Sequence, residues 1–197
     1  MKNSTFKIST RDIVEIAMLV AMAVVVHLIN IETGLAGGSI SFTMVPLLVL
    51  SYRLGWFKGF IGAGVVYGLI ACILSMSFDN DGTTIVNYPF DYLLGWGAMA
   101  IAGLFRKPLF DDNSKLNNLQ KICLLVISVL LACVGRFAGA MLSSIIVYSY
   151  DFSAAFIYNV SYVFISGIAC AIVMVILYNP LVRINRRFPT ERKTIEK

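Results

Sequence analysis

An apolar run of only 13 residues, 40–52, is shut in between a Gly37-Gly38-Ser39 lead-in and a basic turn carrying Arg53 and Lys58. A helix of that length reaches about 20 Å at ~1.5 Å per residue, short of a hydrocarbon core ~30 Å thick, and Pro46 interrupts it. Irregular backbone at membrane depth survives only where it is buried in protein or lines a cavity. The run therefore needs longer neighbours around it, and it predicts a pocket beside its glycine-rich end.

Those neighbours are legible. With 58% hydrophobic and 14% charged residues and a mean hydropathy of +0.81, residues 1–197 are expected to form one all-α membrane domain. Its six spans fall at about 12–30, 39–52, 57–77, 89–105, 121–148 and 153–179. The net charge of +5 could suggest nucleic acid, but position argues for a membrane. Fifteen of the 16 Lys and Arg fall at one set of ends: Lys2, Lys7 and Arg11; Arg53 and Lys58; Arg106, Lys107, Lys115 and Lys121; and six between Arg183 and Lys197. The alternate connections carry only Glu32, Asp79, Asp81 and Asp151. By the positive-inside rule both termini are expected to be cytoplasmic. The first apolar run is long, lacks a small-x-small cleavage site at its end and enters a further span, so a removed signal peptide is not expected.

Several classes of chemistry find no support. Cys72, Cys123, Cys133 and Cys170 lie in apolar spans at no ligand spacing and read as packed thiols. The single histidine, His27, cannot make a metal site. Asp79, Asn80, Asp81 and Gly82 lack EF-hand spacing and read as a solvated turn. No Gly-x-x-x-x-Gly-Lys-Ser/Thr occurs, so any ATPase is another chain. Nor is there a nucleophile–base pair, and no enzymatic activity or cofactor is expected.

Other features point to binding and docking. Ser9 and Asp12 form a capping box ahead of span one. Ala17 and Ala21 leave a smooth strip on that span, suited to packing within the bundle or to a partner helix. Span three is glycine-rich, as tight helix crossings require. Asp91 enters span four just after Pro89, a place where the helix dipole favours a carboxylate. An acidic group in a span is also a site candidate, and Tyr88, Tyr92 and Trp96 on the same turns suit a flat cationic ligand. Arg136 lies some 12 residues below the outer end of span five, deeper than expected for Asp91, which leaves a direct pair open. It reads as an interior residue fixing helices through polar contacts, or as a ligand contact. Asn159, between Tyr158 and Tyr162, offers a donor and an acceptor, for a ligand or for an interhelical hydrogen bond. The basic tail past Pro180 suits anionic lipid.

The order Gly-Gly-Ser-Ile-Ser, Met44-x-Pro46, Ser51-Tyr-Arg-x-Gly55 and Lys58-Gly59, with Asp91-Tyr92 and Tyr158-Asn159, resembles the thiamine-specific substrate-binding (S) component of bacterial energy-coupling factor (ECF) transporters. The resemblance covers most of the chain, from Ala17 to about Leu177. It implies a multi-pass protein of the bacterial cell membrane that binds thiamine or an analogue from outside. Asp91 would be counter-charge or acceptor to the ligand's ring system, Asn159 a ligand contact and 37–41 a movable lid. Ala17 and Ala21 would dock on a transmembrane (T) subunit, with two ATPase subunits driving release inward.

The chain also departs from that pattern. Ala140 stands where the family places a ligand-contacting histidine, Ala154 where it places a tyrosine, and the connection at 149–152 is shortened. Either the ligand differs or Tyr148 and Tyr150 substitute. A rival of another class is a stand-alone proton-coupled secondary transporter with Asp91 as proton carrier. An intramembrane enzyme is disfavoured by the lone His27 and the lack of paired catalytic groups.

Overall fold

Ser9 opens the first helix by the reciprocal cap its sequence predicts: its hydroxyl accepts from the Asp12 N–H at 3.2 Å while its own N–H donates to Asp12 Oδ2 at 2.8 Å. The computed structural model of the chain describes residues 8–29, 31–32, 39–78, 83–111 and 114–189. Six helical rods follow one another. The first is Thr10–Leu28 and the second Met44–Leu54. The third runs through Trp56–Phe60, a π-wound Ile61–Tyr67 and Gly68–Phe78. The fourth joins Thr83–Asn87, a π-wound Tyr88–Trp96, a 3₁₀ stretch Ala98–Phe105 and Arg106–Phe110. Asn118–Ile146 and Phe152–Arg187 complete the set. By length and composition Trp56–Met76, Asn118–Ile146 and Phe152–Arg187 suffice to cross a membrane.

The short second rod is the axis. Its 11 residues span about 16 Å, and Leu47, Leu48, Leu50 and Tyr52 are wholly buried. The first, third, fourth and sixth rods surround it, which supplies the protein enclosure that a sub-bilayer helix requires. Pro46 falls in its first turn, where a missing N–H costs little. Gly55 ends it at φ +86°, a conformation glycine adopts without strain, and turns the chain into the third rod.

The bundle is stitched at its basic end. Arg53 pairs with Glu15 of the first rod and donates through Nη1 to Asn185 Oδ1 at 2.9 Å and the Phe188 carbonyl at 3.3 Å. Lys58 reaches Asp12 Oδ2 at 2.8 Å. Tyr52 shares a 2.6 Å bond with Ser128 on the fifth rod. The basic turn that follows the short run is thus a structural hub. Lipid supplies no hydrophobic drive between rods, so close packing must do so. Gly64 faces Gly97, Gly68 faces the Tyr92 carbonyl and Gly139 faces Gly95, at distances that a methyl group would close to 2.7–3.0 Å.

Two sequence expectations change in detail. The sixth rod does not stop at Pro180 but continues to Arg187, held there by buried Tyr178 and Leu181 and by the Tyr178 hydroxyl on the Leu109 carbonyl at 3.3 Å. The fourth rod begins at Thr83, earlier than Pro89 suggests. At the far end, Ile31–Glu32 and Ser39–Ile40 pair as a two-residue antiparallel ladder. The expected lid residues Gly37 and Gly38 lie outside the described residues, as do Asp79, Asn80, Asp81 and Gly82; Ser39 is in the ladder.

Candidate functional site

The early start of the fourth rod decides the site. Thr83–Asn87 places Asp91 on the order of 10 Å inside the bundle, and Arg136 lies ten residues before the end of the fifth rod, roughly 15 Å deep. The two depths are close enough for contact. Arg136 Nη1 donates to Asp91 Oδ1 at 3.0 Å and to the Asp91 carbonyl at 3.2 Å. The guanidinium also lies 3.7 Å from the Trp96 ring centroid. Gly95 makes this possible: a Cβ there would sit 2.8 Å from Arg136 Nη1 and 3.4 Å from Asp91 Oδ1.

Chemically the pair is incomplete. Arg136 takes one carboxylate oxygen, while Asp91 Oδ2 receives no protein donor among the described residues. The Asp91 side chain keeps 22% exposure against 10% for Arg136. A carboxylate with an open oxygen beside aromatic rings can accept from an amine or balance a cationic ring. Behind Trp96, the ring of Tyr67 meets it edge-on at 4.9 Å and the Tyr67 hydroxyl bonds His27 Nδ1 at 3.2 Å. Tyr92 is buried, and Tyr88 is partly buried against the same core.

A second group lies between the fifth and sixth rods. Asn159 is 1% exposed; its amide donates to Ser144 Oγ and the Ala155 carbonyl, both at 2.8 Å, and its Oδ1 accepts from the Tyr162 hydroxyl at 2.8 Å. The amide is therefore engaged on both sides. Tyr158 stacks edge-on with Tyr162 at 5.3 Å and with Tyr150 at 6.4 Å, and Tyr148 continues the row at 6.2 Å from Tyr150. Ser149, at φ +54°, makes the tight turn between those two tyrosines. Ala140 is buried and Ala154 exposed.

Asp91, Arg136 and Trp96 are thus in contact, Tyr92 and Tyr88 flank them, and Asn159 and Tyr158 belong to the neighbouring tyrosine row. Sequence reasoning missed Tyr67, whose one signal was a lone tyrosine in a rod of glycines. It also missed Tyr162 as a partner of Asn159, and Asn87, which is 4% exposed with Oδ1 unpartnered among the described residues. Ala17 and Ala21 are exposed along a strip with Ile13, Val14, Met18 and Met22. Among the described residues no cluster of His, Cys, Asp and Glu could hold a metal.

A family profile described as thiamine transporter protein matches residues 13–186. The thiamine transporter ThiT of Bacillus subtilis (strain 168) is 25% identical over 183 residues, covering 84% of this chain and 89% of the relative. A solved structure of ThiT from Listeria monocytogenes superposes with a TM-score of 0.70 at 19% identity, covering 86% of this chain and 93% of the other, a likeness of fold.

Proposed function

The chain belongs to the thiamine transporter protein family, and on that premise we propose that it is the S component of an ECF importer, taking up thiamine or a related cationic, amino-heteroaromatic compound. The observation that carries the reading is Asp91, set inside the bundle with one oxygen on Arg136, whose guanidinium lies over the Trp96 ring, and the other without a protein donor among the described residues. The open oxygen accepts the ligand's amine or balances its cationic ring, and Arg136 holds the carboxylate in place. Trp96, Tyr92, Tyr88 and Tyr158 supply ring surface. Asn159 orients Tyr162, and a ligand amine that reaches its Oδ1 does so by displacing that hydroxyl. Tyr148 and Tyr150 provide the polar and aromatic groups that the methyl side chains of Ala140 and Ala154 do not. The 37–41 segment, Gly37, Gly38 and Ser39 included, serves as the lid.

In this reading both termini are cytoplasmic, since the described basic ends carry Arg11, Arg53, Lys58 and Arg183. The exposed Ala17 and Ala21 strip docks on a T subunit, and two ATPase subunits drive release on the cytoplasmic side. A proton carrier would instead have to neutralise Asp91 and leave the buried guanidinium of Arg136 uncompensated, which is costly.

Mass spectrometry of small molecules retained through purification, followed by calorimetry with thiamine and its two ring halves, tests the ligand. Asp91→Asn is expected to weaken thiamine binding tenfold or more, about 1.4 kcal/mol; unchanged affinity would remove the site assignment. Ala17→Leu with Ala21→Leu should abolish uptake with binding intact. Uptake in cells without the ATPase subunits would instead establish the stand-alone reading.

A further inference from the structure

The guanidinium that seats Asp91 is itself held by a chain of contacts running across four rods. Arg136 of the fifth rod lies 3.7 Å from the centroid of the Trp96 ring on the fourth. Trp96 meets Tyr67 of the third rod at 4.9 Å, with the ring planes 79° apart. The Tyr67 hydroxyl shares a 3.2 Å bond with His27 Nδ1, in the last turn of the first rod. Tyr67 is wholly buried and Trp96 nearly so.

The backbone is shaped around the two rings. Tyr67 ends the π-wound Ile61–Tyr67 and Trp96 ends the π-wound Tyr88–Trp96; π-winding is rare and gathers at functional sites. Glycine contacts close the third and fourth rods on both sides of the pair. A Cβ on Gly64 would lie 2.9 Å from the Leu93 carbonyl oxygen and 3.0 Å from Gly97 Cα, and one on Gly68 would lie 2.8 Å from the Tyr92 carbonyl oxygen. In sequence these positions bracket Tyr67 on one rod and Trp96 on the other.

The outer torsion of an aromatic side chain is soft, whereas a cation–π contact needs the ring face presented to the cation. An edge-to-face neighbour supplies that constraint for Trp96. Tyr67 is equally soft, and its buried hydroxyl requires a partner, which His27 provides. Packing alone would need neither a hydroxyl at position 67 nor a histidine at position 27.

With Asp91 as the ligand's counter-charge, as proposed above, we propose that Tyr67 is a positioning residue of the ligand site. Its ring sets Trp96 under the Arg136 guanidinium and so keeps Arg136 on Asp91, and its hydroxyl makes that setting depend on His27. The first rod, whose outer face exposes Ala17 and Ala21, is thereby coupled to the ligand, and such coupling is reciprocal.

Trp56 and Trp96 are the two tryptophans of the chain, so in a Trp56→Phe background near-ultraviolet circular dichroism reads the setting of Trp96 alone. There Tyr67→Leu should change the Trp96 signal in ligand-free protein and weaken thiamine binding about fivefold in calorimetry. Tyr67→Phe and His27→Ala each remove the hydrogen bond and should each weaken binding about threefold. Combined, they should weaken it no more than either alone, and His27→Gln, which keeps a donor and an acceptor, should restore most of the affinity. Titrating only the folded fraction separates these losses from any fall in melting temperature. Tyr67→Leu that melts lower yet keeps both the Trp96 signal and the thiamine affinity would make Tyr67 a packing residue and overturn the proposal. Additive losses in the double variant would overturn it too. Should Tyr67→Leu not fold, Tyr67→Phe, which preserves the ring, decides through the double variant. Asp91→Asn measured alongside keeps two failures apart: no loss there removes the ligand site itself, whereas a loss there with none at position 67 removes only the role of Tyr67.

Discussion

Two clusters of charge lie within the bundle and are finished differently. At the basic end, Asp12 Oδ2 receives the Ser9 N–H, the Ser9 hydroxyl and Lys58, while Arg53 serves Glu15, Asn185 and the Phe188 carbonyl. That cluster joins the first, second, third and sixth rods, and only Asn185 Nδ2 is buried there without a partner among the described residues. Toward the other end, Arg136 and Asp91 join two rods, with the guanidinium over the Trp96 ring and Asp91 Oδ2 without a protein donor among the described residues. In a low dielectric a satisfied network rigidifies, while an unmet acceptor is costly until something meets it. The same residue types thus build a clasp at one end and, at the other, the ion pair we propose as the ligand site.

The contrast can be broken by exchanging stability for affinity. The largest effect is expected from Arg53→Met, which strands Glu15 and should cost about 3–5 kcal/mol of stability. Thermal unfolding in detergent would measure it, and the fraction that remains folded should bind thiamine normally; a matching fall in affinity would erase the distinction. Gly95→Ala comes next, because its methyl would meet the guanidinium at 2.8 Å and push it from its seat on the carboxylate. It should weaken thiamine binding more than tenfold in titration calorimetry while shifting the melting temperature less than Arg53→Met does. The smallest is Ser144→Ala, which removes one of the two oxygen acceptors from the Asn159 amide and leaves the Ala155 carbonyl and Met141 Sδ. A stability loss of about 0.6 kcal/mol and a less than threefold change in affinity are expected; a tenfold affinity loss would move Asn159 into direct ligand contact.

What could be read from sequence divides along the same line. The Ser9–Asp12 cap is a matter of three-residue spacing, and the enclosure of the second rod follows from its length against the bilayer; both are local or metric facts. The Asp91–Arg136 contact was left open because it depends on where the fourth rod begins and on its winding through Tyr88–Trp96, neither of which periodicity reports. Asn159 showed its donor and acceptor but not that Ser144, Ala155 and Tyr162 already use them. Arg53 and Lys58 read as orientation signals, yet their partners at Glu15, Asp12 and Asn185 are far apart in sequence. Tyr67, bridging His27 and Trp96, left no pattern beyond its isolation among glycines.

The enclosed 11-residue helix also bears on how such a molecule is made. Met44–Leu54 is too short to reside in lipid alone, and helices of that length are marginal by themselves. It has no stable intermediate as a solitary inserted segment, so biogenesis cannot proceed strictly one span at a time. The segments on either side of it must partition with it as a hairpin-like unit, and the sixth rod, which contributes Asn185 to Arg53, completes its shelter only after the five rods before it have been made.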